Sequence, residues 1–197
     1  MTTVVLMSSV TAAVFGGFDH WVWRQLVHHP FLTIVARQIT DVGTLPVLVP
    51  VSVLGAMLIW WRYRLVILAV SPWCALHINS ASVAVLKRTF SVARPPHALW
   101  LTGAGGGSFP SGHTANTTSV LVAFALIIYL HEQEAFKRRI VISGAILGCG
   151  LMGWTRLALN VHWLSDVFAG WAVGAFFAVS VVFLAQRLST GSDKSHI

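Results

Sequence analysis

The chain has 197 residues, of which 56% are hydrophobic and only 10% charged, and its mean hydropathy is +0.75. A soluble domain carries about 25% charged residues, so this composition excludes an ordinary water-soluble globule and places the chain in a membrane, as a single domain over residues 1–197. The net charge of +7 does not point to nucleic acid, because the basic residues sit in short segments between apolar runs and form no long stripe.

Six apolar segments follow one another at residues 2–18, 42–61, 65–86, 113–130, 140–158 and 163–186. A membrane span takes about 20 residues, so the second, third and sixth are comfortable, while the first, fourth and fifth are short. Pro46, Pro50 and Pro72 fall inside segments, where the neighbouring helices of a bundle can take up the freed backbone groups. The N-terminus has no basic n-region and no clear cleavage pattern before Asp19, and is read as a retained first helix. Between the first two segments, Leu32, Val35, Ala36 and Ile39 recur at helical spacing, after a stretch holding Trp21, Trp23 and Arg24. That pattern predicts an amphipathic helix lying in the membrane interface. The expected fold is therefore all-α: a six-transmembrane-helix bundle with an interfacial amphipathic helix between the first and second spans. Cys74 and Cys149 lie in apolar runs and read as small buried thiols, with no disulfide framework and no zinc site. The low-complexity stretch Gly103 to Ser108 precedes the fourth span and is expected to be a mobile loop that lets a bulky headgroup approach.

With six spans, Arg62, Arg64, Lys137, Arg138, Arg139, Arg187 and Lys194 share one side, which the positive-inside rule makes cytoplasmic. The other side holds Arg24, Arg37, Lys87, Arg88, Arg94 and Arg156, a nearly equal number. The assignment strengthens when some of these outer cations serve chemistry.

Three clusters on that outer face carry such chemistry. Lys87 and Arg94 close the third span, Pro110-Ser111-Gly112-His113 opens the fourth, and Thr155-Arg156 with His162 and Asp166 joins the fifth to the sixth. Lys87, Arg94 and Arg156 are cations from separate parts of the chain, and an anion is the natural thing for them to share, since Arg matches phosphate oxygens with a planar fork and Lys adds a point charge. Ser111, Gly112 and His113 start a helix, whose free N–H groups and positive end favour an anion. His162 and Asp166 are four apart and lie on one helical face. A carboxylate behind an imidazole fixes its tautomer and leaves the other nitrogen free to attack, and His113 can act as general acid toward the leaving oxygen.

The pattern K-x6-R-P, P-S-G-H, then [S/T]-R-x5-H-x3-D resembles the type-2 phosphatidic acid phosphatase superfamily, a group that includes bacterial lipid phosphatases and is related to vanadium haloperoxidases. The motifs run from Lys87 to Asp166, and the only departure is Thr155, where the family usually has Ser; the hydroxyl is kept. The resemblance implies a membrane hydrolase that needs no metal or other cofactor: His162 attacks phosphorus, His113 protonates the leaving group, and water then hydrolyses the phosphohistidine. Lys87, Arg94, Ser111, Gly112 and Arg156 would hold the phosphoryl oxygens. The substrate is expected to be a lipid phosphate, namely a polyprenyl diphosphate such as undecaprenyl diphosphate, phosphatidylglycerophosphate or phosphatidic acid. The place is expected to be the cell membrane, with the site on the extracytoplasmic side. A lipid phosphotransferase, or a non-catalytic lipid-phosphate binding or flipping protein, is the alternative on the same scaffold; the oriented His162–Asp166 pair argues against pure binding.

Other polar residues have plainer readings. Arg88 is expected to reach for headgroups, and most of the nine Trp form an aromatic belt. For His77 and Asn79, two readings stay open: interhelical hydrogen bonding, or lining the space below the site. Asp41 either pairs with an arginine of the site or ends the interfacial helix.

Overall fold

The computed structural model describes residues 16–23 and 30–192. Residues 16–23 are helical. Six labelled helices follow: α1 (Pro30–Thr40), α2 (Leu45–Tyr63), α3 (Val66–Phe90), α4 (Gly112–His131), α5 (Ala135–Ala158) and α6 (Leu164–Ser192). Short 3-10 turns occupy Asp41–Gly43 and His97–Leu99, and there is no strand among the described residues.

Five helices, α2 to α6, are long and apolar enough to cross a membrane. The predicted first span, 2–18, falls outside the described residues except at 16–18, as do Arg24 and Lys194 of the charge argument. Of the three segments expected to be short, the fourth and fifth are full-length helices, α4 with 20 residues and α5 with 24. The difference lies at their ends: α5 begins at Ala135, so Lys137, Arg138 and Arg139 belong to its opening turns rather than to a loop, and polar helix ends are invisible to a hydropathy window. In the same way α3 runs on past its apolar run to Phe90 and carries Lys87 and Arg88 in its last turn.

The local causes are legible. Pro30 begins α1 and Pro46 falls in the first turn of α2, where no backbone donor is lost. Arg64 and Ser91 take left-handed backbone conformations just past α2 and α3, with φ of 60° and 45°, and end those helices. On α1, Ala36 and Thr40 turn inward and Val35 and Ile39 are half-buried, whereas Leu32 of the predicted face points outward.

Helix α4 is the centre of the bundle, with residues 114–120 buried without a break. Its small face admits α6 very closely. A Cβ on Gly170 would stand 2.9 Å from the Ser111 carbonyl, and one on Gly174 would stand 2.9 Å from the Thr118 Cβ. Gly170 and Gly174 form the small-xxx-small spacing that lets two membrane helices touch backbone to backbone. Farther from the site the packing is apolar, around Ile59, Leu68, Ile127, Ala178 and Val182. Nearer the site it is polar: Asn79 of α3 donates to Asn116 of α4 at 2.7 Å, both buried. This resolves the two readings of the mid-span pair. Asn79 makes an interhelical bond, while His77 is on the outside, its Nδ1 bonded to the Trp73 carbonyl at 2.9 Å and its ring against Trp73.

Candidate active site

Every candidate residue lies at one end of the bundle. Lys87 sits in the last turn of α3, Arg94 in the segment that follows, Gly112 and His113 at the start of α4, Arg156 in the last turn of α5, His162 in the connection to α6, and Asp166 in the first turn of α6.

The junction before α6 is built from its own caps. Asp166 accepts the Trp163 N–H at 2.8 Å, a side chain in the first turn reaching back to the residue before the helix. Asp19, from far up the chain, takes the next donors, the Ser165 N–H at 2.9 Å and the Ser165 hydroxyl at 2.6 Å. Trp163 is held from a third side, its indole N–H donating to the Ala93 carbonyl at 2.8 Å. The turn bearing His162 is thus pinned to three parts of the chain.

His162 is 3% exposed, and both ring nitrogens are engaged. Nδ1 lies 3.1 Å from Asp166 Oδ2, and Nε2 lies 3.1 Å from Arg94 Nη1. A guanidinium only donates, so Nε2 must accept and the ring proton must be on Nδ1, directed at the carboxylate. Burial first, then the charges of Arg94, Arg156 and Lys87, hold His162 well below the usual histidine range, so the ring is neutral near pH 7 with its Nε2 lone pair available.

The cations are arranged around this imidazole. Arg94 also donates to the Val161 carbonyl at 2.6 Å and to the carbonyls of Gly105, Gly106 and Gly107 at 2.8, 3.2 and 3.3 Å. Lys87 donates to the carbonyls of Gly107 and Ser108 at 2.6 and 3.2 Å. The loop expected to be mobile is instead laced to two of the three candidate cations, Lys87 and Arg94. Glycine permits it: Gly106 has a φ of 64°, and a Cβ on Gly107 would stand 2.9 Å from the Lys87 carbonyl.

The donors at the start of α4 are engaged unequally. The Ser111 N–H is spent on the Asp166 carbonyl at 3.0 Å, and the Ser111 hydroxyl accepts from Thr114 at 2.9 Å. The amides of Gly112 and His113 remain first-turn donors without an intrahelical acceptor. Gly112 lies against the Lys87 side chain, a Cβ there falling 3.8 Å from Lys87 Cε. His113 stands within electrostatic reach of Arg156, His162, Arg94 and Lys87. Arg156 is 2% exposed; its Nη1 donates to the Thr40 hydroxyl, while its Nε has no partner among the described residues. Thr155 bonds the Met152 carbonyl at 2.7 Å and approaches Thr40 at 3.4 Å, so its hydroxyl serves α5 and α1. Among the described residues Asp41 makes no ion pair, though its charge reaches Arg156; its carbonyl takes the Thr44 N–H and hydroxyl, closing the 3-10 turn after α1.

Sequence reasoning missed Ser108, Thr40 and Asp19. Ser108 is completely buried and donates to Asp166 Oδ2, yet in the sequence it is only the end of a glycine run. Thr40 and Asp19 reach partners 116 and 146 residues away, and no local pattern announces such contacts. Among the described residues no group of three His, Cys, Asp or Glu is placed to hold a metal ion.

The arrangement offers an oriented nucleophilic nitrogen, a second imidazole, and cations converging from three elements. Comparison with known proteins bears on the family. The sequence pattern of the PAP2 superfamily matches residues 60–189. Phosphatidylglycerophosphatase B of Bacillus subtilis is 31% identical over 162 residues, covering 78% of this chain and 76% of that protein. Lipid A 1-phosphatase of Rhizobium johnstonii is 34% identical over 113 residues, covering 52% of this chain and 42% of that protein. The crystal structure of a transmembrane PAP2-type phosphatidylglycerolphosphate phosphatase from Bacillus subtilis shares the fold, with a TM-score of 0.76 at 23% identity over 98% of this chain and 96% of that one. The structure of Aquifex aeolicus LpxE aligns with a TM-score of 0.61 at 23% identity, over 82% of this chain and 92% of that one.

Proposed function

The chain belongs to the PAP2 superfamily of membrane lipid phosphatases, and from that premise we propose that it hydrolyses a lipid phosphate through a phosphohistidine on Nε2 of His162. The observation that carries the reading is the double engagement of His162, with Asp166 behind Nδ1 and Arg94 at Nε2. A phosphoryl group held by Arg94 has its phosphorus within reach of that lone pair.

The chemistry balances in two steps. Nε2 of His162 forms a bond to phosphorus as the bond from phosphorus to the leaving oxygen breaks, and His113 gives that oxygen its proton. His113, now the base, takes a proton from water; the hydroxide oxygen bonds to phosphorus, the P–N bond breaks, and His162 is restored with inorganic phosphate as product. Lys87, Arg94, Arg156 and the amides of Gly112 and His113 are placed to stabilise the charge on the equatorial oxygens. Asp166 keeps the imidazole oriented while positive charge develops on it.

We read α1 as the interfacial helix and residues 2–18 as a sixth span, with the site on the extracytoplasmic side. The lipid tail lies along the bundle, and an apolar groove of about 620 Å³ between α5 and α6, floored by α4 and including Val122, Leu126, Ile146 and Val179, suits a hydrocarbon chain. The named activities of the relatives make phosphatidylglycerophosphate a substrate to test first, with a polyprenyl diphosphate and phosphatidic acid beside it.

The test is phosphate release by purified protein from this panel, in detergent and in vesicles, with and without excess EDTA. Release that survives EDTA supports the reading. No release from any member favours a binding or flipping protein, and release only with a second lipid acceptor favours transfer.

A further inference from the structure

Ser108 lies outside the motifs that carry the chemistry, yet it touches both members of the catalytic pair. It is fully buried; its hydroxyl donates to Asp166 Oδ2 and its Oγ lies 3.4 Å from His162 Nδ1. Its backbone is fixed independently, the N–H donating to the Val92 carbonyl at 2.8 Å and the carbonyl accepting from Lys87 at 3.2 Å. The hydroxyl is therefore delivered to Asp166 by the same loop that Lys87 and Arg94 grip.

The carboxylate is loaded on one side. Oδ2 receives His162, the Trp163 N–H and Ser108, while Oδ1 is buried and has no partner among the described residues. Left to itself, a carboxylate with three donors would rotate to share them between both oxygens, because leaving a buried oxygen unpaired is costly. Two donors besides the imidazole prevent this, and only Ser108 is a side chain. With its proton spent on Asp166, Ser108 also presents lone pairs toward Nδ1. They suit a protonated Nδ1 and repel an unprotonated one.

We propose that Ser108 is a positioning residue: acting through Asp166, it holds His162 in the tautomer that leaves Nε2 free to attack, and it ties that tautomer to the loop gripped by Lys87 and Arg94. The proposal rests on the reading of His162 and Asp166 as the catalytic pair.

The test is Ser108→Ala in the full-length protein, read by kcat and KM for a lipid phosphate, by thermal unfolding, and by the imidazole ¹⁵N spectrum of histidine-labelled protein, with His162 assigned from its own variant. The expected result is a kcat about ten-fold lower at unchanged KM, with the Nδ1-protonated form of His162 giving way to a mixture of tautomers. An unchanged kcat, or an unchanged His162 tautomer in a folded Ser108→Ala protein, overturns the proposal. If Ser108→Ala does not fold, Ser108→Cys keeps the size but donates weakly, and wild-type kcat and tautomer in that variant equally overturn it. The spectrum needs no turnover, so it tests Ser108 even where the wild-type protein releases no phosphate and the phosphatase reading fails instead.

Discussion

Arg94 and His162 touch, Nη1 to Nε2 at 3.1 Å, so the proposed anion-holding guanidinium and the proposed attacking nitrogen are in register. The contact depends on the flat, forked guanidinium, which reaches the imidazole and the Val161 carbonyl from one nitrogen and three glycine carbonyls from the others. Lysine keeps the charge but not the fork. Arg94→Lys is expected to lower kcat/KM roughly 10- to 100-fold, by about 1.4–2.7 kcal/mol, and steady-state kinetics on a lipid phosphate checks this. A Lys variant with wild-type kcat/KM would show that charge alone suffices.

On the proposed mechanism His162→Ala removes the nucleophile and His113→Ala the acid. The first is expected to reduce phosphate release to background, the second by roughly 100- to 10,000-fold, each with unchanged thermal unfolding in detergent. Acid quench with a ³²P-labelled substrate should trap label on the wild-type chain and none on His162→Ala; label retained there would place the nucleophile elsewhere.

The depressed affinity of His162 for a proton has a pH signature. In the folded chain it stays neutral well below pH 6.5, while in the unfolded chain it takes up a proton near that value. Below pH 6.5 the unfolded state therefore binds the extra proton, and stability falls as pH falls, by up to about 1.4 kcal/mol per pH unit for this group; above 6.5 its contribution is complete and flat. Thermal unfolding from pH 5 to 7.5 should show this slope and His162→Ala should lessen it. The kcat/KM profile should show no loss assignable to His162 protonation between pH 7.5 and 6.5, and a His162 imidazole spectrum that titrates near 6.5 in the folded protein would contradict the assignment.

Thr40→Val is nearly isosteric and strips the hydroxyl from Arg156. A buried guanidinium then loses a partner, at a cost of about 1–3 kcal/mol. A fall in melting temperature with a moderate loss of kcat/KM is expected, smaller than that of Arg156→Ala; equal activity losses would mean Arg156 works only through Thr40.

Much of this was legible in the sequence because it is written locally. Apolar runs announce spans, and K-x6-R-P, P-S-G-H and R-x5-H-x3-D each fall within one helix end or turn. The helix limits were less legible, because α3 and α5 continue through Lys87 and Lys137 on backbone hydrogen bonds that hydropathy does not register. The supporting residues were not legible at all. Ser108, Thr40 and Asp19 matter through where the bundle puts them, and a serine after three glycines looks the same whether it faces water or a catalytic carboxylate.

On the proposed mechanism, in which Lys87 and Arg94 hold the phosphate, the loop carbonyls on these two cations bear on turnover. Backbone dipoles from residues 105–108 already solvate these cations, so an arriving phosphate exchanges one set of oxygens for another rather than filling a bare positive hole. The net gain from binding is the difference between the two, which keeps affinity moderate despite the density of charge. The same exchange runs backward at the end of the cycle: the glycine oxygens compete with inorganic phosphate for their old partners and help to expel it.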